Sequence, residues 1–172
     1  MNPSKSLRLL GLTATVVAAL TASGGAIAQS SAGAYGGISI GKASDIGTAL
    51  KLYGGAPLGN AFGWEAQYTD FGSVNEVTPF GTAKASAFGL GASLVGYLPL
   101  QNNLNGFAKL GAHYVKAKAS LAGFSASDTS TEVGFGVGLL WQASPQWGVR
   151  AEYDNIGGSG GTVPSIGMQM KF

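Results

Sequence analysis

The sequence contains no cysteine. A disulfide framework is excluded, so the fold must be held by burial or by a lipid surround. Charge is scarce as well: Asp, Glu, Lys and Arg make up 10% of the residues, against about 25% in an ordinary soluble domain. Disorder does not follow from this, because the hydrophobic share is 45% and disordered chains are poor in apolar residues. His113 is the single histidine, and no group of His, Asp or Glu stands at metal-ligand spacing. No phosphate-binding glycine loop and no nucleic-acid module is present. No cofactor is expected. Beyond residue 28, no apolar run reaches the roughly 20 residues that a transmembrane helix needs.

The N-terminus is different. Residues 1–28 read as a secretory signal peptide: Lys5 and Arg8 form a positive region, Leu9 to Ala22 an apolar run, and Ala26-Ile27-Ala28 a small-x-small cleavage site. The alternative, an uncleaved anchor, fits less well, because the apolar run is short for a span of about 20 residues. Cleavage leaves residues 29–172 as one domain. It also removes two of the 10 cations and none of the 8 acids, so the remaining chain carries 8 of each. A neutral chain gives no argument for nucleic acid or an acidic substrate.

What fills the remaining chain is alternation. Successive side chains of a strand point to opposite faces, so period two marks a strand with two unlike faces. Eight stretches show it. The first runs about Tyr35 to Gly41, with Ile38 and Ile40 on one face. The second, Thr48 to Gly55, sets Leu50 and Leu52 against Lys51 and Tyr53. The third, Ala61 to Phe71, sets Phe62, Trp64, Ala66 and Tyr68 against Gly63, Glu65, Gln67 and Thr69. The fourth, Ala85 to Leu98, sets Phe88, Leu90 and Leu94 against Gly89, Gly91 and Ser93, with Pro99 expected to break it. The fifth, Gly106 to Lys116, sets Leu110 and Tyr114 against Lys109 and His113. The sixth, Thr131 to Gln142, sets Val133, Phe135 and Val137 against Gly134, Gly136 and Gly138. The seventh, Trp147 to Asp154, sets Val149 and Tyr153 against Arg150 and Glu152. The last sets Ile166, Met168, Met170 and Phe172 against Gly167, Gln169 and Lys171.

Three connections, near Pro57, Pro99 and Pro145, are tight. The others, Lys42 to Gly47, Gly72 to Lys84, Ala117 to Ser130 and Asn155 to Pro164, are polar and mostly longer. Short turns at one end and long loops at the other are the habit of outer-membrane barrels. The fold expected is all-β: an eight-stranded antiparallel up-and-down transmembrane β-barrel. In hydrocarbon every backbone N–H and C=O must be paired, and a sheet achieves that only by closing. Inward Gly at 89, 91, 134, 136 and 138 then leaves room for Tyr53, Glu65, Lys109 and Arg150. Trp64, Trp141 and Trp147, with Phe62, Phe107 and Phe172, are expected in the girdle at the short-turn interface. Tyr68, Phe71, Phe88, Tyr114 and Tyr153 are expected toward the other one. A soluble barrel such as a lipocalin would need many more Lys and Glu outside.

At this point the chain resembles the OmpA-like transmembrane domain, the small outer-membrane β-barrel family. The matching stretches are Gly63-Trp64-Glu65-Ala66-Gln67-Tyr68 with Asp70-Phe71-Gly72, Leu94-Val95-Gly96-Tyr97-Leu98-Pro99, Lys109-Leu110-Gly111 and Arg150-Ala151-Glu152-Tyr153. The resemblance implies an outer-membrane location, lipid and lipopolysaccharide as surroundings, and recognition of the last strand (Met168, Met170, Phe172) by the barrel assembly machinery. Unlike longer members, the chain is expected to end at the barrel, without a peptidoglycan-binding domain.

Glu65, Lys109, Arg150 and Glu152 share inward parity. A buried ion without a partner costs several kcal/mol, so the four are expected to form an interior charge network. The resemblance suggests plugging or gating for Glu65 and Arg150. At other positions where the resemblance implies interior charge, the chain has small or apolar residues, Ser93 or Val95 on the fourth strand and Leu140 on the sixth, which favours a static network over a switch. His113 also has inward parity and no adjacent Ser or Asp, against the lipid-modifying chemistry some eight-stranded barrels carry. Lys42, Lys84, Lys116 and Lys118 lie near the outer rim and could meet lipopolysaccharide phosphates. Asp45, Asp70, Asp128 and Asp154 are placed near the same rim, which favours a mixed solvated surface. The function expected is structural or surface-exposed, as a monomer and without catalysis. A narrow low-conductance channel is the main alternative, and a lipid-modifying enzyme a distant third.

Overall fold

A strand set with one apolar face each can satisfy its backbone in hydrocarbon only as a ring. The computed structural model describes residues 33–43, 47–78, 81–121, 124–157 and 161–172, and there the strands form that ring. They are β1 (Tyr35–Ala43), β2 (Gly47–Pro57), β3 (Phe62–Thr78), β4 (Gly81–Gln101), β5 (Leu104–Leu121), β6 (Phe124–Gln142), β7 (Trp147–Ile156) and β8 (Gly161–Lys171). Each is antiparallel to its chain neighbours. The seam is closed by β8, which sets Met168 against Ile38 and Ile166 against Ile40 of β1. The expected signal peptide, 1–28, lies outside the described residues.

Burial is inside-out relative to a soluble barrel. Leu94 and Leu110 keep 63% and 61% of their surface exposed, while Lys51, Glu65 and Arg150 keep 1%, 1% and 2%. Leu94 and Leu110 are direct cross-strand partners, so the apolar side chains form a continuous outer belt. Water around such a belt would be costly, at about 25 cal/mol for each Å² of apolar surface. Lipid removes that cost. Trp64, Trp141, Trp147 and Phe62 border the belt near the short turns, all exposed. Tyr68, Tyr114 and Tyr153 border it at the other end, where Tyr68 stacks on Phe88 with centroids 6.2 Å apart.

Two aromatics expected in the girdles are inside instead. Phe107 is buried beside Val95 and Leu140, and Phe71 beside Val115, Ile156 and Val163. Phe107 shares the parity of Lys109, which points inward. Phe71 sits at a β-bulge: Asp70 pairs with Phe88 and Gly72 with Ala87, leaving Phe71 as the extra residue. Gly72 takes a positive φ of 87°, a region side-chain-bearing residues avoid, and its N–H donates to Asp70 Oδ1 at 2.9 Å. Beyond the bulge the parity of β3 is reversed.

The expected long loops 72–84 and 117–130 are largely strand. β3 and β4 pair up to Thr78↔Gly81, and β5 and β6 up to Leu121↔Phe124. Their Ser, Thr and Ala alternate without an apolar stripe, so the pattern gave no strand signal. β4 has 21 residues and β1 has 9, so β3–β6 rise as a raised sheet on one side of the barrel. Pro99 does not end β4; it sits beside a register shift before Gln101, and Asn102-Asn103 makes the turn. β8 likewise starts at Gly161 and takes in Pro164, which β1 does not pair.

Leu110 lies near the middle of the outer belt. Leu110→Arg should destabilise the barrel by about 2–4 kcal/mol, the depth-dependent cost of a lipid-facing cation. Urea unfolding in lipid vesicles measures it, and no loss would contradict the lipid-facing assignment.

Candidate functional site

The barrel interior is the site that the strands build together. At its middle, inward positions of β2, β3, β5 and β7 deliver Lys51, Glu65, Lys109, Arg150, Glu152 and Asp154, all buried. Three cations meet three carboxylates. Arg150 holds Glu65 with two parallel hydrogen bonds, Nη1 to Oε2 at 2.6 Å and Nη2 to Oε1 at 3.1 Å, and its Nε donates to Glu152 Oε2 at 3.0 Å. Lys51 Nζ donates to Glu152 Oε2 at 2.6 Å and to Asp154 Oδ2 at 2.8 Å. Lys109 Nζ donates to Gln67 Oε1 at 2.6 Å and to Glu65 Oε1 at 3.3 Å, pairs with Asp154 Oδ1 at 3.0 Å, and also pairs with Glu152.

Neutral polar groups finish the satisfaction of these ions. Tyr35 donates its hydroxyl to Glu65 Oε2 at 3.0 Å and accepts from Tyr97 at 3.0 Å. Gln169 accepts from Arg150 at 3.4 Å. The guanidinium of Arg150 also lies between two rings, 4.4 Å from the centroid of Tyr53 and 4.1 Å from that of Phe107. A planar, weakly hydrated cation suits that place better than an ammonium group. Ion pairing of this kind offsets desolvation only when nearly every ion is also hydrogen-bonded.

The network is capped above and below by apolar layers. Toward the raised sheet, Phe71, Val115, Ile156 and Val163 form one cluster with Ala43, Ala49 and Ala87. Toward the short turns, Val95, Phe107 and Leu140 form another, with Tyr97 against it. His113 is buried, and a Cβ on Gly91 or on Gly134 would run into its ring. The inward glycines therefore make room for His113 and Phe107 as well as Lys109. His113 faces the lumen, not the lipid.

The four residues singled out from the sequence, Glu65, Lys109, Arg150 and Glu152, come together in one cluster. Lys51 and Asp154 complete it and were not included. Lys51 has inward parity, but the sequence gives no hint of which strand lies opposite it. Asp154 is a correction: it does not lie at the rim. It shares the inward parity of Glu152, and β7 continues to Ile156, whose apolar layer lies above it. Gln67, Gln169, Tyr35 and Tyr97 carried no charge signal. On β8, Met168 is exposed, Met170 and Phe172 are partly exposed, and the Phe172 N–H donates to Ala34 O at 2.9 Å. Among the described residues no group of His, Cys, Asp or Glu is placed to hold a metal ion. Asp45 lies outside the described residues.

The outer membrane protein beta-barrel domain family matches residues 12–163. No curated protein matches the sequence. Several solved structures share the fold. The N-terminal β-barrel domain of Pseudomonas aeruginosa OprF is 14% identical, with TM-score 0.63, covering 83% of this chain and 98% of its own. Neisserial surface protein A is 17% identical, with TM-score 0.57, covering 81% and 95%. Ail, the attachment invasion locus protein of Yersinia pestis, crystallised with the heparin analogue sucrose octasulfate, is 18% identical, with TM-score 0.56, covering 82% and 99%. At such identities the likeness concerns the fold alone.

Glu65 is the carboxylate shared by Arg150, Lys109 and Tyr35. Glu65→Ala leaves two buried cations short of a partner and should cost about 3–5 kcal/mol. Urea unfolding in vesicles checks it; a loss below about 1 kcal/mol, the scale of an exposed pair, would show the cluster to be solvated.

Proposed function

This chain belongs to the outer membrane protein beta-barrel domain family, and on that premise we propose that it is a structural, surface-exposed barrel whose interior is plugged by its own side chains. The observation that carries this reading is the layering of the lumen: a charge-balanced cluster of three cations and three carboxylates between two apolar layers. An eight-stranded barrel has an interior just wide enough to be filled by side chains. A permeating ion would have to displace Phe71 or Phe107 and then compete with pairs that already satisfy one another. At the short-turn mouth a vestibule of about 290 Å3, reaching Tyr35, Gln169 and Lys171, ends on Tyr97 and Leu140 of the lower layer.

In this reading the chain is exported through a cleaved signal peptide, residues 1–28, and works as a monomer among outer-membrane lipid and lipopolysaccharide. It carries out no catalysis and requires no cofactor. The outward stripe of Met168, Met170 and Phe172 is the segment that the barrel assembly machinery engages. The position of β8 supports this, since it closes the ring by pairing with β7 on one side and β1 on the other.

Two measurements bear on the proposal. In planar bilayers the wild-type barrel is expected to show no steady single-channel conductance; a steady conductance altered by Glu65→Ala or Arg150→Ala would establish the narrow channel instead. Phe172→Ala should slow assembly into the outer membrane while leaving the urea midpoint of the finished barrel within error. Equal assembly rates for the two chains would remove the recognition role.

A further inference from the structure

Above the outer belt, the raised sheet has two unlike faces. Direct partners across β4, β5 and β6 are Ser86, Lys118 and Ser127 in one row and Phe88, Lys116 and Thr129 in the next. Lys84 stands one step higher on β4, opposite Ser120. All have the parity of Leu90 and Tyr114, which face outward. The inward parity holds Ala85, Ala117, Ala119 and Ala126, and with them Asp128 and Glu132.

Among the described residues, lysine and carboxylate near this rim are therefore largely segregated. They share a height but occupy opposite faces, which alters the expectation of a mixed solvated surface. Asp70 is the exception on the outward side, and it is two strands from Lys116, roughly 10 Å at the usual strand spacing. Its carboxylate is engaged with the Gly72 N–H in the bulge. None of the ion pairs among the described residues includes Lys84, Lys116 or Lys118.

Lys116 and Lys118 are about 7 Å apart along β5, and Lys118 and Lys84 are diagonal neighbours at about 7–8 Å. Three like charges so close repel unless an anion lies among them. Between Lys84 and Lys118 the surface forms an open depression of about 460 Å3, lined also by Ser86, Ser120, Ser125 and Ser127, with Ala119 and Ala126 between them. Ammonium groups and hydroxyls together are donors for phosphate oxygens.

Height selects the source of that phosphate. Lys116 pairs with Phe88, the last apolar residue of the belt on β4, and Lys118 and Lys84 follow within four residues. Four residues of strand rise about 13 Å along its axis, and less along the membrane normal because the strands tilt. The lysines thus stand at headgroup depth on a face continuous with the lipid-facing belt. Resting on the outer-membrane reading above, we propose that Lys84, Lys116 and Lys118 form a binding site for the phosphate groups of the outer leaflet's lipopolysaccharide, orienting the raised sheet against the headgroups.

The test uses the full chain, refolded in detergent micelles and immobilised, and measures retention of fluorescent lipopolysaccharide. The same glycolipid after enzymatic dephosphorylation and soluble sucrose octasulfate serve as the other probes. The variants are Lys84→Gln, Lys116→Gln and Lys118→Gln, singly and together, with Lys42→Gln on β1 as the control. Heat-modifiable gel mobility establishes that each variant has folded. Phosphorylated glycolipid should bind more tightly than its dephosphorylated form, and affinity should fall about fivefold for each lysine removed, the weight of one cation beside an anionic surface. Lys42→Gln should bind as the wild type does. Equal retention of the two glycolipids, equal binding by the wild type and the triple variant, or an equal loss in Lys42→Gln would overturn the proposal. Tighter binding of sucrose octasulfate than of glycolipid would overturn the lipid source. A wild-type chain that migrates identically with and without boiling would instead overturn the barrel reading itself.

Discussion

Glu65 and Arg150 form the contact on which the rest of this barrel depends. Lipid surrounds the wall, so the interior is where a charged side chain can go, and there it must be matched. The bidentate pair joins β3 to β7 across the lumen, and Glu152 extends it to Lys51 and Lys109. The strands are thereby fixed in rotation as well as in pairing. A slip of one residue in any strand would turn its apolar stripe inward and its ions to lipid. Backbone pairing alone would permit such a slip; the matched ions make it costly. Buried pairs are weak evidence for stability as such, and here they are better understood as specifying register.

The same logic explains the order of layers. Ions held by one another need no water, and the apolar clusters above and below keep it from the lumen. Phe107 belongs to both arrangements: its ring lies against Arg150 and its neighbours are Val95 and Leu140. The inward glycines are the counterpart of this crowding, since the ring of His113 occupies space that side chains at Gly91 and Gly134 would take.

Much of this was legible in the chain. Period-two alternation over Phe62–Tyr68 or Val133–Trp141 leaves few alternatives to a strand facing lipid, and the resemblance to small outer-membrane barrels agrees with the family match. Four members of the charge cluster follow from parity. What was not legible has physical causes. Strands beyond the membrane have water on both faces, so β4 before Ala85 shows no stripe and reads as loop. Asp154 reads as a rim residue because alternation in the sequence stops there, whereas β7 runs on to Ile156. Lys51 needed a partner on β7, and alternation within one strand says nothing about what lies across the barrel. Phe71 failed for a sharper reason: an aromatic near a strand end looks like an interface anchor, and a bulge leaves no mark in the sequence apart from Gly72.

That bulge makes β3 two reading frames joined at one residue. Below it, even-numbered residues look out; above it, odd-numbered ones do, as the pairs Asp70↔Phe88 and Ser73↔Ser86 record. Without Phe71 the two halves would still present the same faces to their neighbours, because the residue that the partner strand skips would be the one removed. The sheet is therefore complete without Phe71, and only the lumen has a use for it. A single codon in this position separates the wall of the barrel from its stopper.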